Sequence, residues 1–109
     1  MCGIAGIIDF RGRSVEPAEI RKLTDQIAHR GPDGDGYWFS AQRDVALGHR
    51  RLAIIDPGPG GHQPMASGDG RHVIVFNGEI YNFLELRTEL ENFGEKFHSE
   101  SDTEVILAA

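Results

Sequence analysis

Met1-Cys2-Gly3-Ile4-Ala5-Gly6-Ile7-Ile8-Asp9 opens the chain, and Cys2 is the only cysteine among its 109 residues. Removal of an initiator methionine would make Cys2 the N-terminus. One residue would then carry a thiol nucleophile and an α-amine whose ordinary pKa, about 7.7 to 8.0, lets it move protons at neutral pH without a histidine partner. A lone cysteine at position two more often sits at a disordered end. Here an apolar run from Gly3 to Ile8 follows it and stops at Asp9, the pattern of a buried strand. A terminus that leads straight into such a strand is tied down, so Cys2 is expected to be held in place.

Working outward, Arg11-Gly12-Arg13 reads as a turn. Pro17 stands where a first helical residue is favoured, with Glu19 in the first turn and Ile20, Leu23, Ile27 and Ala28 on one face, which predicts a helix over about Pro17 to Ala28. The stretch His29 to Gly36 is too rich in Gly and Pro for regular structure. Tyr37-Trp38-Phe39 and Val45 to Ile55 read as strands. In the second, a period of two puts Val45, Leu47, His49, Arg51, Ala53 and Ile55 on one side and Arg50 on the other. A guanidinium in that register faces an interior or a pocket and needs an anionic partner, which is either an internal acid or a ligand carboxylate.

Asp56 to Arg71 contains Pro57, Gly58, Pro59, Gly60, Gly61 and Pro64 and reads as a long wrap-around loop; no Gly-Lys-Ser/Thr comes after it, which argues against a phosphate cradle. His72 to Phe76 reads as another buried strand. Asn77-Gly78 is a hairpin signal in isolation, but the residues beyond it carry a helical pattern. Asn82 with Glu85 has the form of a capping box, Phe83, Leu86, Leu90 and Phe93 make an apolar stripe, and Gly94 ends the helix. Asn77 and Gly78 therefore lie at a strand-to-helix mouth, where a side-chain amide and a backbone N–H can serve a developing oxyanion. Phe97-His98 reads as a short strand. Ser101 with Glu104 forms a second capping box, and Asp102 is a favourable charge in that helix's first turn. The helix breaks off in an apolar run at Ala109, shorter than the usual ~10 to 14 residues, which reads as the front part of a longer protein.

Composition bounds the function. With 39% hydrophobic and 26% charged residues the chain is of ordinary globular make-up, one domain at most. Its formal net charge of -6 and eleven scattered basic residues give no footprint for nucleic acid or an acidic membrane surface. One cysteine makes no internal disulfide, and no run approaches membrane-spanning length, so a reducing cytoplasm is the expected setting. The five histidines have no ligand spacing for a metal, and Asp33 and Asp35 lack the later acidic ligands of a calcium loop.

Taken together, Met1-Cys2-Gly3-Ile4-Ala5-Gly6, His29-Arg30-Gly31-Pro32-Asp33-Gly34, Gly48-His49-Arg50-Arg51-Leu52-Ala53-Ile54-Ile55-Asp56, Asn77-Gly78-Glu79-Ile80-Tyr81-Asn82 and Ser101-Asp102-Thr103-Glu104-Val105 resemble the N-terminal glutaminase domain of glutamine-hydrolysing asparagine synthetases. These are class II glutamine amidotransferases within the N-terminal nucleophile hydrolases. The resemblance implies an α+β fold, here the front part of a four-layer αββα sandwich, with residues 1–109 a partial domain. It implies that Cys2 attacks the side-chain amide of glutamine, that Asn77 and Gly78 hold the oxyanion, and that ammonia leaves a thioester which water resolves. Arg51 would clamp the substrate carboxylate, Glu79 and Asp102 its ammonium, with Ile54 and Ile55 lining the pocket. No cofactor is implied for this piece; ATP and magnesium belong to the C-terminal synthetase domain, which would activate aspartate.

Met1 precedes Cys2 here, so activity of the chain requires its removal. Beside the enzyme stand two other readings: a non-catalytic piece that keeps a glutamine pocket, and the amidotransferase domain of an asparagine-synthetase-like enzyme with another acceptor. The exposed apolar edges of a partial sandwich favour self-association into a homo-oligomer.

Overall fold

The computed structural model describes residues 1–109, an α+β arrangement of two small antiparallel sheets and three helices. Strands β1 (Gly3–Ile8), β2 (Gly34–Phe39) and β3 (Val45–Arg51) form the larger sheet in the order β1-β3-β2. The central β3 pairs Gly3 with Arg50 and Ile8 with Val45 on one side, and Gly34 with Arg51 and Phe39 with Ala46 on the other. Helix α1 (Pro17–Gln26) lies across one face, with Val15, Ile20 and Ala46 fully buried and Ala5, Ile7, Tyr37 and Phe39 packed against them. Pro17 does open α1, and the Glu19 carboxylate accepts from Glu16 N at 2.8 Å, closing the first turn.

The period-two reading of β3 holds for its two arginines. Arg50 reaches across the α1 face to Thr24 O at 3.2 Å and the Asp25 carboxylate at 2.7 Å, while Arg51 projects to the opposite side.

Several expectations are corrected. β1 is not buried on both faces: Ile4 is 49% and Ile8 58% exposed, because α1 covers only the side bearing Ala5 and Ile7. An apolar run reads the same whether one face or two are covered. α1 ends at Gln26, a 3-10 turn carries Ala28–Arg30, and Thr24 takes the buried place beside Ile20 while Leu23 is 40% exposed. The Thr24 hydroxyl is satisfied by Ile20 O, Arg21 O and Tyr37 Oη. Gly34-Asp35-Gly36 is strand, because pairing to β3 overrides its weak local propensity. β3 stops at Arg51, and Leu52 to Ile55 leave the sheet.

A second unit succeeds the first along the chain. Strands β4 (Met65–Ala66) and β5 (Val73–Ile74) form a short hairpin inside what reads as loop and as a longer strand. Helix α2 (Phe83–Asn92) runs over the surface and buries no residue; Phe83, Leu86 and Leu90 are half covered, but Phe93 is 80% exposed. Asn82 makes no side-chain capping bond, so the box with Glu85 is not formed. Gly94, at φ 100°, closes α2 as expected, with Gly94 N bonded to Glu91 O and Glu95 N to Leu90 O. Helix α3 (Asp102–Ala108) packs on β4, β5 and α2 and buries Asp102, Thr103 and Val105. Ser101 caps it by accepting from Thr103 N. Glu104 does not complete that box: it accepts from His98 N, Ser99 N and Ser99 Oγ, holding 98–99 as a tight loop where a strand was expected. No helix is long and apolar enough to cross a membrane.

Candidate functional site

A cleft of about 350 Å³ opens between the end of β3, the segment after β5 and the start of α3. Cys2, Arg51, Ile54, Ile55, Asn77, Gly78, Glu79 and Asp102 all line it. The fold thus brings together residues from segments up to a hundred positions apart.

Cys2 reaches the cleft through the backbone of Leu52. Its Sγ accepts from Leu52 N at 3.3 Å and lies 3.6 Å from Leu52 O, while Arg30 Nε donates to the Cys2 carbonyl at 3.1 Å. Leu52 is itself fixed from the other side: Asp33 N donates to Arg51 O at 2.9 Å, and the Asp33 carboxylate accepts from Ala53 N at 2.8 Å. The His29 to Gly34 block therefore serves as a brace that sets the backbone beside the thiol.

Arg51 is half-buried. It donates from Nη1 to Gly58 O at 2.8 Å and from Nη2 to Asp56 O. Its partners are loop carbonyls and not an internal acid, so the positive charge is not neutralised by the protein. Gly61 closes over this group: a Cβ there would collide with Nη2, so no larger residue fits without displacing the guanidinium. Asp56, itself at φ 50°, links the loop to the start of α3 by accepting from Glu100 N at 2.9 Å.

Asp102 is 6% exposed and accepts from Ile80 N at 2.9 Å. Glu79 is exposed on the rim, and Asn77 and Gly78 stand before it in a segment without regular structure. One thiol, one guanidinium, two carboxylates, a side-chain amide and free backbone N–H groups around a cleft of this size suit a small zwitterion bearing a reactive carbonyl.

The cleft also holds residues that sequence reasoning left out of the site: His49, Leu52, Gln63, Phe76, Tyr81 and Thr103. For His49 the signal was present, since it shares the face of Arg51 at period two. It is 1% exposed, and neither ring nitrogen has a hydrogen-bond partner. Burial holds its pKa below the ordinary 6.5; the nearby Phe76 backbone opposes the shift without closing a bond, and electrostatic repulsion from the His62 and Arg51 side chains adds to it. A base with a depressed folded-state pKa binds fewer protons than the unfolded chain between the two values. Its share of stability is full above about 6.5 and is lost as the pH falls below that toward the folded-state value. The melting temperature is expected to drop between pH 7.5 and 5.5, and His49→Gln to flatten that slope. Equal slopes in the two proteins, measured by thermal unfolding across that range, would contradict the assignment.

The comparisons with known proteins agree with the cleft. A family model described as a glutamine amidotransferase domain matches residues 1–109. The chain is 46% identical over 111 residues to asparagine synthetase [glutamine-hydrolyzing] 1 of Bacillus subtilis, covering 99% of this chain and 17% of that protein. It is 42% identical over 123 residues to putative asparagine synthetase [glutamine-hydrolyzing] 2 of Methanocaldococcus jannaschii, covering 98% and 23%. It is 40% identical over 119 residues to the amidase chry2 of Gibberella zeae, covering 99% and 17%. The chain spans between 17% and 23% of the length of these relatives.

Proposed function

The chain belongs to the glutamine amidotransferase domain family, and from that premise we propose that its cleft hydrolyses the side-chain amide of glutamine through a thioester on Cys2. With Met1 removed, the α-amine of Cys2 takes the thiol proton, through water, as sulfur bonds to the amide carbon. Asn77 through its side chain and Gly78 through its N–H hold the oxyanion. The C–N bond breaks, the proton passes to the leaving ammonia, and water then attacks the thioester to give glutamate and the free thiol. Arg51 takes the substrate carboxylate, and Glu79 and Asp102 the ammonium.

The observation that carries this reading is convergence: the only thiol, the un-neutralised Arg51, and the carboxylates of Glu79 and Asp102 share one cleft with Asn77-Gly78. The uncovered apolar face of β1, with Ile4 and Ile8, supports a second sheet stacking there to complete an αββα sandwich. In the protein as a whole the ammonia would pass to activated aspartate in a synthetase part beyond residues 1–109. ATP and magnesium would belong to that part. The likeness to an amidase as well as to asparagine synthetases favours, as a second reading, the same glutaminase chemistry with a different ammonia acceptor.

Intact mass before and after treatment with 6-diazo-5-oxo-norleucine, a thiol-alkylating glutamine analogue, tests the proposal. The expected result is a mass lacking Met1 and a single adduct on Cys2 that excess glutamine prevents. Retained Met1 with no glutamine-protected adduct overturns it.

A further inference from the structure

Gln63 is 7% exposed, and its side-chain amide is used at both ends. Oε1 accepts from Phe76 N at 2.6 Å, and Nε2 donates to Thr103 Oγ1 at 3.2 Å. The β4–β5 ladder stops at Met65 opposite Ile74, and continuing its register places Gln63 opposite Phe76 with Pro64 between. At that position the Phe76 N–H is met by the Gln63 side-chain oxygen, and the side chain stands in for a ladder carbonyl.

Both partners adjoin the site. Phe76 immediately precedes Asn77-Gly78-Glu79, and Thr103 immediately follows Asp102. That irregular span is pinned again at its far end, where Ile80 N donates to the Asp102 carboxylate at 2.9 Å. Gln63, Phe76, Ile80, Asp102 and Thr103 thus close a circuit around the three residues expected to meet the reacting amide and the ammonium group. No backbone ladder fixes these three residues, so the bonds at Phe76 and Ile80 hold the span at its two ends.

We propose that Gln63 is a positioning residue for the oxyanion hole, joining Asn77-Gly78 to the start of α3. The inference rests on the glutaminase reading. Oxyanion contacts form fully only in the transition state, so loosening them lowers kcat and leaves KM nearly unchanged. Displacement on the scale of 1 Å costs up to about 100-fold.

Glutamine hydrolysis is measured in the protein as its gene encodes it, unaltered and as Cys2→Ala, Gln63→Met, Thr103→Val, Thr103→Ser and the Gln63→Met/Thr103→Val pair. Gln63→Met is expected to lose about 10- to 100-fold in kcat, with unchanged alkylation of Cys2 by iodoacetamide as the check that the thiol and fold persist. Thr103→Val should fall in the same direction, Thr103→Ser should restore most of that loss, and the pair should lose less than the product of the single losses. If Gln63→Met does not fold, the two Thr103 variants decide. Wild-type kcat in Gln63→Met or in Thr103→Val, or a loss confined to KM, overturns the positioning role. Absence of ammonia release by the unaltered protein, or full hydrolysis by Cys2→Ala, instead overturns the glutaminase reading and takes this role with it.

Discussion

Cys2→Ala is expected to abolish ammonia release from glutamine while the fold persists. The Cys2 side chain is half-buried, and its polar contacts are with the Leu52 backbone alone. A thiol is a weak hydrogen-bond partner, so losing it costs on the order of 1 kcal/mol or less. The bracing of Leu52 by Asp33 and the hold of Arg30 on the Cys2 carbonyl use backbone atoms that alanine retains. Against that small structural effect stands the complete loss of the proposed nucleophile. The α-amine of residue 2 would remain, but it has no thiol to deprotonate and no thioester can form. A loss on the order of 10⁴-fold or more is the scale seen when a nucleophile is removed and binding is kept. Ammonia and glutamate release, measured alongside glutamine binding in the same protein, checks both halves. Wild-type-like hydrolysis by the alanine protein would sink the thioester mechanism.

The sequence was most legible where a single residue carries one chemical demand. Cys2 beside a strand, Arg51 at a two-residue period and Asn77-Gly78 before a helix each announced a direction that the fold then gave a cleft to share. Far less legible were features that depend on coverage and on side chains standing in for backbone. The run Gly3 to Ile8 does not say that only one of its faces is covered. Phe93 continues the apolar stripe of α2, yet the helix lies at the surface and leaves it exposed. The capping residues show the same limit. Asn82 and Glu104 fit the pattern of a box, but Asn82 forms no cap bond and the Glu104 carboxylate turns to the 98–99 loop, where two backbone N–H groups and a hydroxyl offer more bonds than one N-cap N–H. Those bonds also outweigh burial and hold the Glu104 carboxyl below its ordinary value. Gln63 lay hidden for a related reason: a glutamine before a proline in a loop carries no periodic signal, and its role exists only once β5 lies beside it.

Arg51→Lys is expected to raise the KM for glutamine by roughly 10- to 100-fold with kcat little changed. Two of the five guanidinium N–H donors are already committed, to Gly58 O and to Asp56 O, and this fixes the plane of the group at the cleft wall. The remaining donors are free to meet a carboxylate in a set orientation. A lysine keeps the charge but carries one nitrogen, which cannot hold the loop and the ligand together in that geometry. Gly61 packs directly against this group, since even a methyl group there would collide with Nη2. Losing one charge-assisted bond costs about 1.5 to 3 kcal/mol, which at 1.4 kcal/mol per decade gives the predicted factor. The substrate carboxylate does not change charge during amide hydrolysis, so the interaction is equal in ground and transition states and its loss falls on KM. Steady-state kinetics over a wide glutamine range reads this directly. Saturation of the lysine protein at the wild-type glutamine concentration would show that charge alone suffices at this position and would remove the fixed guanidinium fork from the account of substrate recognition.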